Sequence, residues 1–263
     1  MADVTIATLN IFNNAHGRWV ERGPLIAEQL AALAPDVCAF QEVDRFGDRV
    51  AEVVSHANRM LGEDRYFMHL LANPQATSIK SLAVASRLAV VARDRVDLEA
   101  DDIAFRVELA LDDSDTTFDL VTTHFLYRPS REGGEVRLRQ AHQLLDWLAA
   151  GTGRPTVVVG DFNALPVGQT IAAMKGRFRS AYEVVHGAEP ETTQPTPLVY
   201  SLDAPKAFGV PELPPGRKDT VDYVFVSDEV EVVTAEMAFD QPARRDATLY
   251  PSDHYGLTAS LQI

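Results

Sequence analysis

Apolar runs that predict strands alternate with amphipathic stretches that predict helices along most of the chain. Residues 4–11 (VTIATLNI) are β-branched and apolar, and they predict a buried first strand that ends at Asn10. Apolar residues at helical spacing predict a helix over 24–34, and a second apolar run predicts a strand over 36–43. A strand, a helix and a strand in this order indicate the opening of an α/β fold.

The middle of the chain predicts strands in closer succession, which is typical of antiparallel pairing. We expect a helix over 48–61, followed by strands over 66–72, 82–93, 103–111 and 118–124. The clearest amphipathic helix is expected over 134–150, and the last strands over 156–160, 223–227 and 257–263. Seven of the 15 prolines lie in residues 187–218, which predicts a long structured loop there. Without an internal repeat or a shift of composition that marks a linker, residues 1–263 are expected to form a single domain.

Polar side chains follow the apolar part of one predicted strand after another. They are Asn10, Glu42, His124, Asp161 with Asn163, Asp222, and Asp253 with His254. Strand ends gather along one rim when two sheets pack face to face, so these side chains are expected to converge on a shared cleft. Within Asp161-Phe162-Asn163 the two polar residues lie two positions apart and point to the same face, while Phe162 points into the core.

Each of these residues also has a simpler explanation when it is taken alone. The alternatives are a turn cap for Asn10, a solvated strand end for Glu42, a backbone-bonded edge histidine for His124, an Asx turn for Asp161 and Asn163, and an ion pair of Asp222 with Arg217 or Lys218. Adjacent side chains of an extended segment point to opposite faces, so Asp253 and His254 serve one site only if Pro251 and Gly256 bend the chain. The complete set in one order favours a common site.

Composition limits the partners and the compartment. The net charge of −14 repels polyanions, so stable binding of long duplex DNA is not expected, and part of this charge suits a carboxylate cluster that holds a metal. The single cysteine, Cys38, excludes an internal disulfide and a cysteine-rich zinc site, and its apolar neighbours predict a buried thiol. No signal peptide or membrane anchor is recognisable, so we expect a cytoplasmic protein. We also expect a monomer.

In combination, the motifs resemble those of the endonuclease/exonuclease/phosphatase superfamily of DNase I-like metal-dependent phosphoesterases. The motifs are Thr8-Leu9-Asn10, Gln41-Glu42-Val43, Thr123-His124, Gly160-Asp161-Phe162-Asn163, Asp222 to Ser227, and Ser252-Asp253-His254. The resemblance implies a four-layered α/β/β/α sandwich of two packed mixed sheets flanked by helices. It also implies hydrolysis of a phosphate ester with Mg²⁺ or Mn²⁺ as the cofactor. Magnesium prefers oxygen ligands and takes only one or two carboxylates from protein, which agrees with these residue types.

The resemblance further implies a role for each strand-end residue. Glu42 is expected as the principal metal ligand, with Asn10 and Asp253 completing or orienting its shell. The catalytic residues are then expected to be His124, Asp161, Asn163, Asp222 and His254. Asp161 would position or deprotonate water or assist the leaving oxygen, and His254, held by Asp222, would contact the phosphate or act as the base. His124 would be a second phosphate contact or an acid.

The expected activity is that of a divalent-metal-dependent phosphodiester hydrolase acting on a nucleic-acid end, a short oligonucleotide or another small phosphodiester. Residues 250–257 are similar to the tail of 5′-tyrosyl-DNA phosphodiesterases, whereas residues 179–183 and 186–193 are similar to the deadenylase and 2′-phosphodiesterase branch. Basic candidates for substrate contact are Arg128, Arg131, Arg137, Arg139, Arg217 and Lys218. The alternatives are a phosphomonoesterase, a sphingomyelinase- or inositol-phosphate-type hydrolase, and a catalytically dead scaffold. The missing Gly-x-Ser-x-Gly motif disfavours a serine hydrolase.

Overall fold

The computed structural model describes residues 2–14, 17–62, 65–73, 79–111, 116–151, 153–202, 214 and 216–263. The strands are β1 (Asp3–Asn10), β2 (Val37–Val43), β3 (Phe67–Leu71), β4 (Ser81–Ser86), β5 (Val90–Leu98), β6 (Asp102–Ala110), β7 (Thr117–His124), β8 (Thr156–Asp161), β9 (Arg179–Ser180), β10 (Asp222–Val226), β11 (Glu231–Ala238) and β12 (Gly256–Gln262). The helices are α1 (Trp19–Leu33), α2 (Asp48–Leu61), α3 (Arg131–Ala149), α4 (Gln169–Lys175), α5 (Ala181–His186) and α6 (Leu198–Ser201), and a short 3₁₀ turn spans Glu99–Asp101.

The strands form two mixed six-stranded sheets. The first has the order β11-β12-β1-β2-β4-β3, and the second has the order β5-β6-β7-β8-β10-β9. Among the described strands, each sheet contains one parallel pair, β1 with β2 and β7 with β8, and the other neighbours are antiparallel. A parallel pair needs a long crossover connection, which α1 supplies in the first sheet and α3 in the second.

The sheets pack face to face, and helices cover both outer faces. Ile6 and Val84 from one sheet and Phe105 and Val159 from the other share the core between the sheets. The alternate residues of β1, β2 and β4 pack with α1 and α2, and those of β7, β8 and β10 pack with α3 and α4. Because both faces of the central strands are buried, these strands are apolar along their length rather than alternating. The predicted four-layered α/β/β/α sandwich is confirmed.

Several element boundaries differ from the expectation. Helix α2 has the predicted bounds, but α1 begins at Trp19 and includes Pro24. Helix α3 begins at Arg131 because Ser130 caps it by accepting a hydrogen bond from the Gly133 N–H. The strand predicted over 82–93 is wrong as one element, since the chain turns after Ser86 and enters the other sheet as β5.

The sequence analysis did not predict strands β9 and β11 or helices α4 and α5. Strand β11 lies at the edge of its sheet, where most of its side chains are at least partly exposed, so its sequence lacks an apolar run. Within the predicted loop 187–218, the structure describes 187–202, 214 and 216–218. This part includes the one-turn helix α6 and an antiparallel bridge from Gln194 to Asp219. The remainder of the loop lies outside the described residues.

Cys38 is a buried free thiol, as its apolar neighbours predict. Among the helices that the structure describes, none combines the length and apolar character needed to cross a membrane.

Candidate active site

Sheet topology brings the polar strand ends to one rim of the sandwich. Asn10 ends β1 and Glu42 lies near the end of the parallel strand β2, while His124 and Asp161 end the parallel strands β7 and β8. His124 pairs in register with Asp161, and Asp222, at the start of the antiparallel strand β10, also faces Asp161. Asp253 and His254 precede β12, which runs antiparallel to β1. The eight predicted residues therefore lie around a single cleft.

Asp161 is the most connected carboxylate of this cleft. Its Oδ2 accepts a hydrogen bond of 3.0 Å from Asn10 Nδ2, which belongs to the other sheet. The same oxygen lies 3.4 Å from His124 Nε2 and 3.8 Å from His254 Nε2, and Oδ1 accepts the Asn163 N–H at 2.8 Å. Only 1% of Asp161 is exposed, so its position is set by these protein groups rather than by solvent.

The segment after β8 turns sharply to bring Asn163 into the cleft. Asn163 has a φ of +47°, and its Nδ2 donates to the Phe125 carbonyl at 2.9 Å and lies 3.1 Å from His124 Nε2. Phe162 points the other way and makes edge contacts with Phe125 in the core. The hydrogen bond from the Asn163 N–H to the Asp161 carboxylate forms an Asx turn. The turn explanation and the shared site are therefore both correct for these two residues.

Close backbone packing at the end of β8 explains the glycine that precedes Asp161. Gly160 has a φ of +136°, and a Cβ there would lie 2.1 Å from the Thr123 carbonyl oxygen of β7. Only glycine avoids this clash, so the two strand ends that carry His124 and Asp161 stay in contact.

His254 and Asp222 form a buried pair. His254 Nδ1 lies 2.9 Å from Asp222 Oδ2, and each residue is 2% exposed. Burial alone lowers the pKa of His254, but the carboxylates of Asp222 and Asp253 raise it well above its ordinary value. Burial also raises the pKa of Asp222 to about 6, against the opposing effect of the imidazole. Because the Asp222 carboxylate is in contact with the imidazole and raises its pKa, we expect the proton of this pair to lie on His254 at neutral pH.

The structure does not show the alternative in which Asp222 forms an ion pair with Arg217 or Lys218. Arg217 pairs with Asp219, and Lys218 pairs with Glu191. Asp222 is held instead by the buried Thr193, whose Oγ1 accepts the Asp222 N–H at 3.1 Å. The Thr193 carbonyl in turn accepts the Tyr255 N–H at 2.8 Å. Thr193 was not among the predicted site residues, because its contacts are to backbone groups distant in sequence.

Glu42 and Asp253 form the oxygen-donor side of the cleft. Glu42 has a φ of +58°, and its two oxygens accept bonds from Asn10 Nδ2 at 3.3 Å and from the Asn13 N–H at 3.2 Å. Burial raises the pKa of Glu42, and the charge of Asp253 raises it further. Within the described part of the chain, no lysine or arginine forms an ion pair with either carboxylate. Two adjacent carboxylates without such a partner suit a divalent cation that prefers oxygen ligands.

The orientation of Asn10 favours an orienting role over direct metal ligation. Its Oδ1 accepts the Phe12 N–H at 3.0 Å, while its Nδ2 faces the carboxylates of Glu42 and Asp161. A flipped amide would direct its NH₂ group at the Phe12 N–H, so the backbone fixes this assignment.

A second group of potential metal ligands lies in the same cleft. One ligand atom each from Asp161, Asp222 and His254 lies within 4.8 Å of the others. Both carboxylates already have partners, since Asp161 accepts hydrogen bonds from two N–H groups and Asp222 Oδ2 lies against the His254 imidazole. Contacts within the protein hold this group together, whereas no lysine or arginine among the described residues pairs with Glu42 or Asp253.

An open groove of about 380 Å³ continues from the cleft past Asn163. Its basic lining residues are Arg128, Arg131, Arg137 and Arg217, and Tyr127 and Leu165 add apolar surface. Arg139 and Lys218 lie outside this lining, paired with Glu99 and Glu191 respectively. Four of the six basic candidates therefore border one groove beside the site.

Comparison with known proteins identifies a family. The sequence profile described as "Endonuclease/Exonuclease/phosphatase family" matches residues 7–254, which includes all eight site residues. Nocturnin of Drosophila melanogaster is 24% identical over 93% of this chain, and Nocturnin of Xenopus laevis is 25% identical over 91%. These matches cover 42% and 64% of the two relatives, so the chain spans about half of their length.

Solved structures show the same fold. The catalytic domain of human Nocturnin with a bound sulfate anion has a TM-score of 0.73 at 21% identity, covering 99% of this chain and 93% of that one. Truncated Caenorhabditis elegans TDP2 has a TM-score of 0.71 at 18% identity, covering 99% and 98% of the two chains.

Removing the charge of Asp222 tests the protonation of His254. In Asp222→Asn we expect the pKa of the His254 imidazole to fall by roughly 1 to 3 pH units, because loss of a carboxylate in contact leaves burial opposed by fewer negative charges. The measurement is the imidazole ¹⁵N chemical shift as a function of pH in both proteins. In the wild type the protonated form should persist from acid pH through neutrality and disappear only as the pH rises through the raised pKa. A neutral wild-type imidazole at pH 7 would contradict the assignment.

Proposed function

Since the chain belongs to the Endonuclease/Exonuclease/phosphatase family and is a phosphoester hydrolase, we propose that it cleaves phosphodiesters with the help of a divalent metal. The observation that supports this most strongly is the position of Asp161 between two sides of one cleft that carry different chemical groups. On one side the Asp222 carboxylate lies 2.9 Å from His254 Nδ1 and raises the pKa of the imidazole, and on the other side Glu42 and Asp253 offer oxygen ligands.

This arrangement accommodates a phosphate between the two sides. Glu42 and Asp253 would hold Mg²⁺ or Mn²⁺, and the bound ion would neutralise charge on a phosphate oxygen. The protonated His254 directs Nε2–H toward the cleft, where it donates to another phosphate oxygen and to the charge that develops in the transition state. Asn163 and His124 line the same surface, and Asn163 holds the His124 ring from the side.

Asp161 is the residue that we assign to the attacking water. Asn10 and Asn163 fix its carboxylate, so that it can accept the proton of a water molecule as the water oxygen attacks phosphorus. The bond from phosphorus to the leaving oxygen then breaks. The leaving oxygen takes a proton from solvent, and His124, whose side chain is 15% exposed and whose Nε2 accepts from Asn163, borders the phosphate on this side. With His254 protonated, Asp161 is the better general base of the two.

The groove favours a substrate that extends beyond one phosphate. Four arginines border it, and three of them pair with acidic side chains, Arg128 with Glu132, Arg131 with Glu135 and Arg217 with Asp219. Their guanidinium groups can still donate hydrogen bonds to phosphate oxygens. Tyr127 and Leu165 offer apolar surface for a base or another flat group. A short oligonucleotide or the end of a nucleic acid combines these features, whereas a long duplex would meet the acidic surface outside the groove.

Loss of activity in variants that keep the shape of the site tests the assignment. We expect Asp161→Asn and His254→Gln each to lower kcat for bis(p-nitrophenyl) phosphate by roughly 10²-fold or more, because each loses a proton-transferring or charge-stabilising group. Asp119→Asn is the matched control, since Asp119 is also a buried aspartate but lies at the opposite end of β7. EDTA should abolish wild-type activity, and Mg²⁺ or Mn²⁺ should restore it. Normal turnover in both site variants would refute the assignment, and release of inorganic phosphate alone from mixed substrates would favour a phosphomonoesterase.

A groove variant tests the substrate class. We expect Arg217→Ala to raise KM for short oligonucleotides by roughly 5-fold or more and to leave KM for bis(p-nitrophenyl) phosphate unchanged. The substitution removes a guanidinium donor from the groove and takes away the ion-pair partner of the Asp219 carboxylate, which then repels a second phosphate. Lys218→Ala is the control, because it removes the same charge one residue away, outside the groove lining. Equal effects of Arg217→Ala on both substrates would count against the groove as a substrate site.

A further inference from the structure

Arg22 is a fully buried arginine of α1 that contacts the backbone of both site-bearing loops. Its side chain is 0% exposed. Nη1 donates to the Ile11 carbonyl at 3.0 Å and to the Pro251 carbonyl at 2.7 Å, and Nη2 donates to the Phe12 carbonyl at 2.7 Å. Nε donates to the Gly17 carbonyl. One guanidinium thus joins the segment after β1 to the segment before β12.

The guanidinium is buried without a carboxylate partner. Arg22 forms no ion pair with any residue that the structure describes, and all of its hydrogen bonds go to backbone carbonyls. The rings of Phe12 and Trp19 flank it, with centroids 5.2 and 5.6 Å from Cζ. Burial lowers the pKa of Arg22 to about 10, so it remains a cation at neutral pH. A charge buried in this way is costly, and an apolar side chain would pack in a helix interior without that cost.

The carbonyls that Arg22 binds belong to residues that fix the site side chains. Ile11 and Phe12 follow Asn10 directly, and the Phe12 N–H sets the orientation of the Asn10 amide. Pro251 precedes Ser252, whose Oγ lies 2.6 Å from the Asn10 carbonyl and 3.2 Å from Asp253 Oδ1. A shift of either segment would therefore change the spacing between the Asn10 and Asp253 sides of the cleft.

We propose that Arg22 is a positioning residue that holds these two segments at the spacing required for metal binding and catalysis. The proposal rests on the proposed function of the cleft, and it assigns Arg22 no contact with substrate. The planar guanidinium reaches four carbonyls because its donors point in fixed, divergent directions. A lysine ammonium has three donors at a single point and cannot span the same set.

Arg22→Lys tests the proposal because it keeps the charge and removes the fork. We expect kcat for bis(p-nitrophenyl) phosphate to fall and the Kd for Mn²⁺ to rise, each by roughly 10- to 100-fold, as when groups that orient metal ligands are lost. KM should stay within about twofold, because substrate contacts are unchanged. Mn²⁺ binding is measured without substrate by electron paramagnetic resonance of the free ion. Arg22→Gln, which donates fewer bonds and buries no charge, should show the same direction of change.

Arg87→Lys is the matched control. Arg87 also donates to a backbone carbonyl, that of Ala34, and lies beside the ring of Tyr66, and unlike Arg22 it pairs with a carboxylate, that of Asp36. None of these three residues belongs to the site. We expect this variant to lower the melting temperature without changing kcat or the Kd for Mn²⁺.

Each outcome bears on Arg22 separately from the proposed function. An unchanged Kd and kcat in folded Arg22→Lys overturns the proposal, and so does loss of the fold in both Arg22 variants, since Arg22 would then be a residue of the general core. A wild-type protein that binds Mn²⁺ but cleaves no phosphodiester contradicts the proposed function, while the Kd comparison still decides the role of Arg22.

Discussion

The site depends on one hydrogen bond that joins the two sheets, from Asn10 Nδ2 to Asp161 Oδ2 at 3.0 Å. Asn10 ends a strand of one sheet and Asp161 ends a strand of the other, so their contact sets the distance across the cleft. Gln41, the neighbour of Glu42, adds a second link by donating to Thr122 Oγ1 across the sheets at 2.9 Å. Both links are buried, and a buried polar group left without its partner is costly, which makes the relative position of the strand ends specific.

Around this link the carboxylates divide into two kinds by their partners. Asp222 contacts the His254 imidazole and raises its pKa, whereas Glu42 and Asp253 have no lysine or arginine partner among the described residues. In the proposed mechanism the cleft therefore supplies both a proton donor and a bound cation, with Asp161 between them. Phosphate transfer needs both kinds of positive charge, since negative charge increases on the phosphate oxygens and on the leaving oxygen.

Most strands and helices could be predicted because their patterns are local, whereas the four layers followed from the family resemblance. The apolar runs and helical periodicities mark most elements, and the ordered motifs predict the four layers. The expectation failed where local pattern and topology disagree: residues 82–93 are nearly continuous in apolar character but cross from one sheet to the other, and the edge strand β11 is largely exposed. Strand-end polarity marks the residues that meet in the cleft. Arg22 and Thr193 escaped notice because they act through backbone carbonyls and amides far away in sequence, for which the chain carries no local pattern.

In the proposed mechanism Glu42 and Asp253 bind the metal, while Asp161, Asp222 and His254 carry the proton chemistry. Crystals grown with Mn²⁺ and measured for anomalous scattering test it most directly. We expect an anomalous peak within ligand distance of Glu42 and Asp253, roughly 2.0 to 2.6 Å from their oxygens, with Asn10 still donating to Asp161. A peak held instead by Asp161, Asp222 and His254, or no peak in the cleft at saturating Mn²⁺, would contradict it.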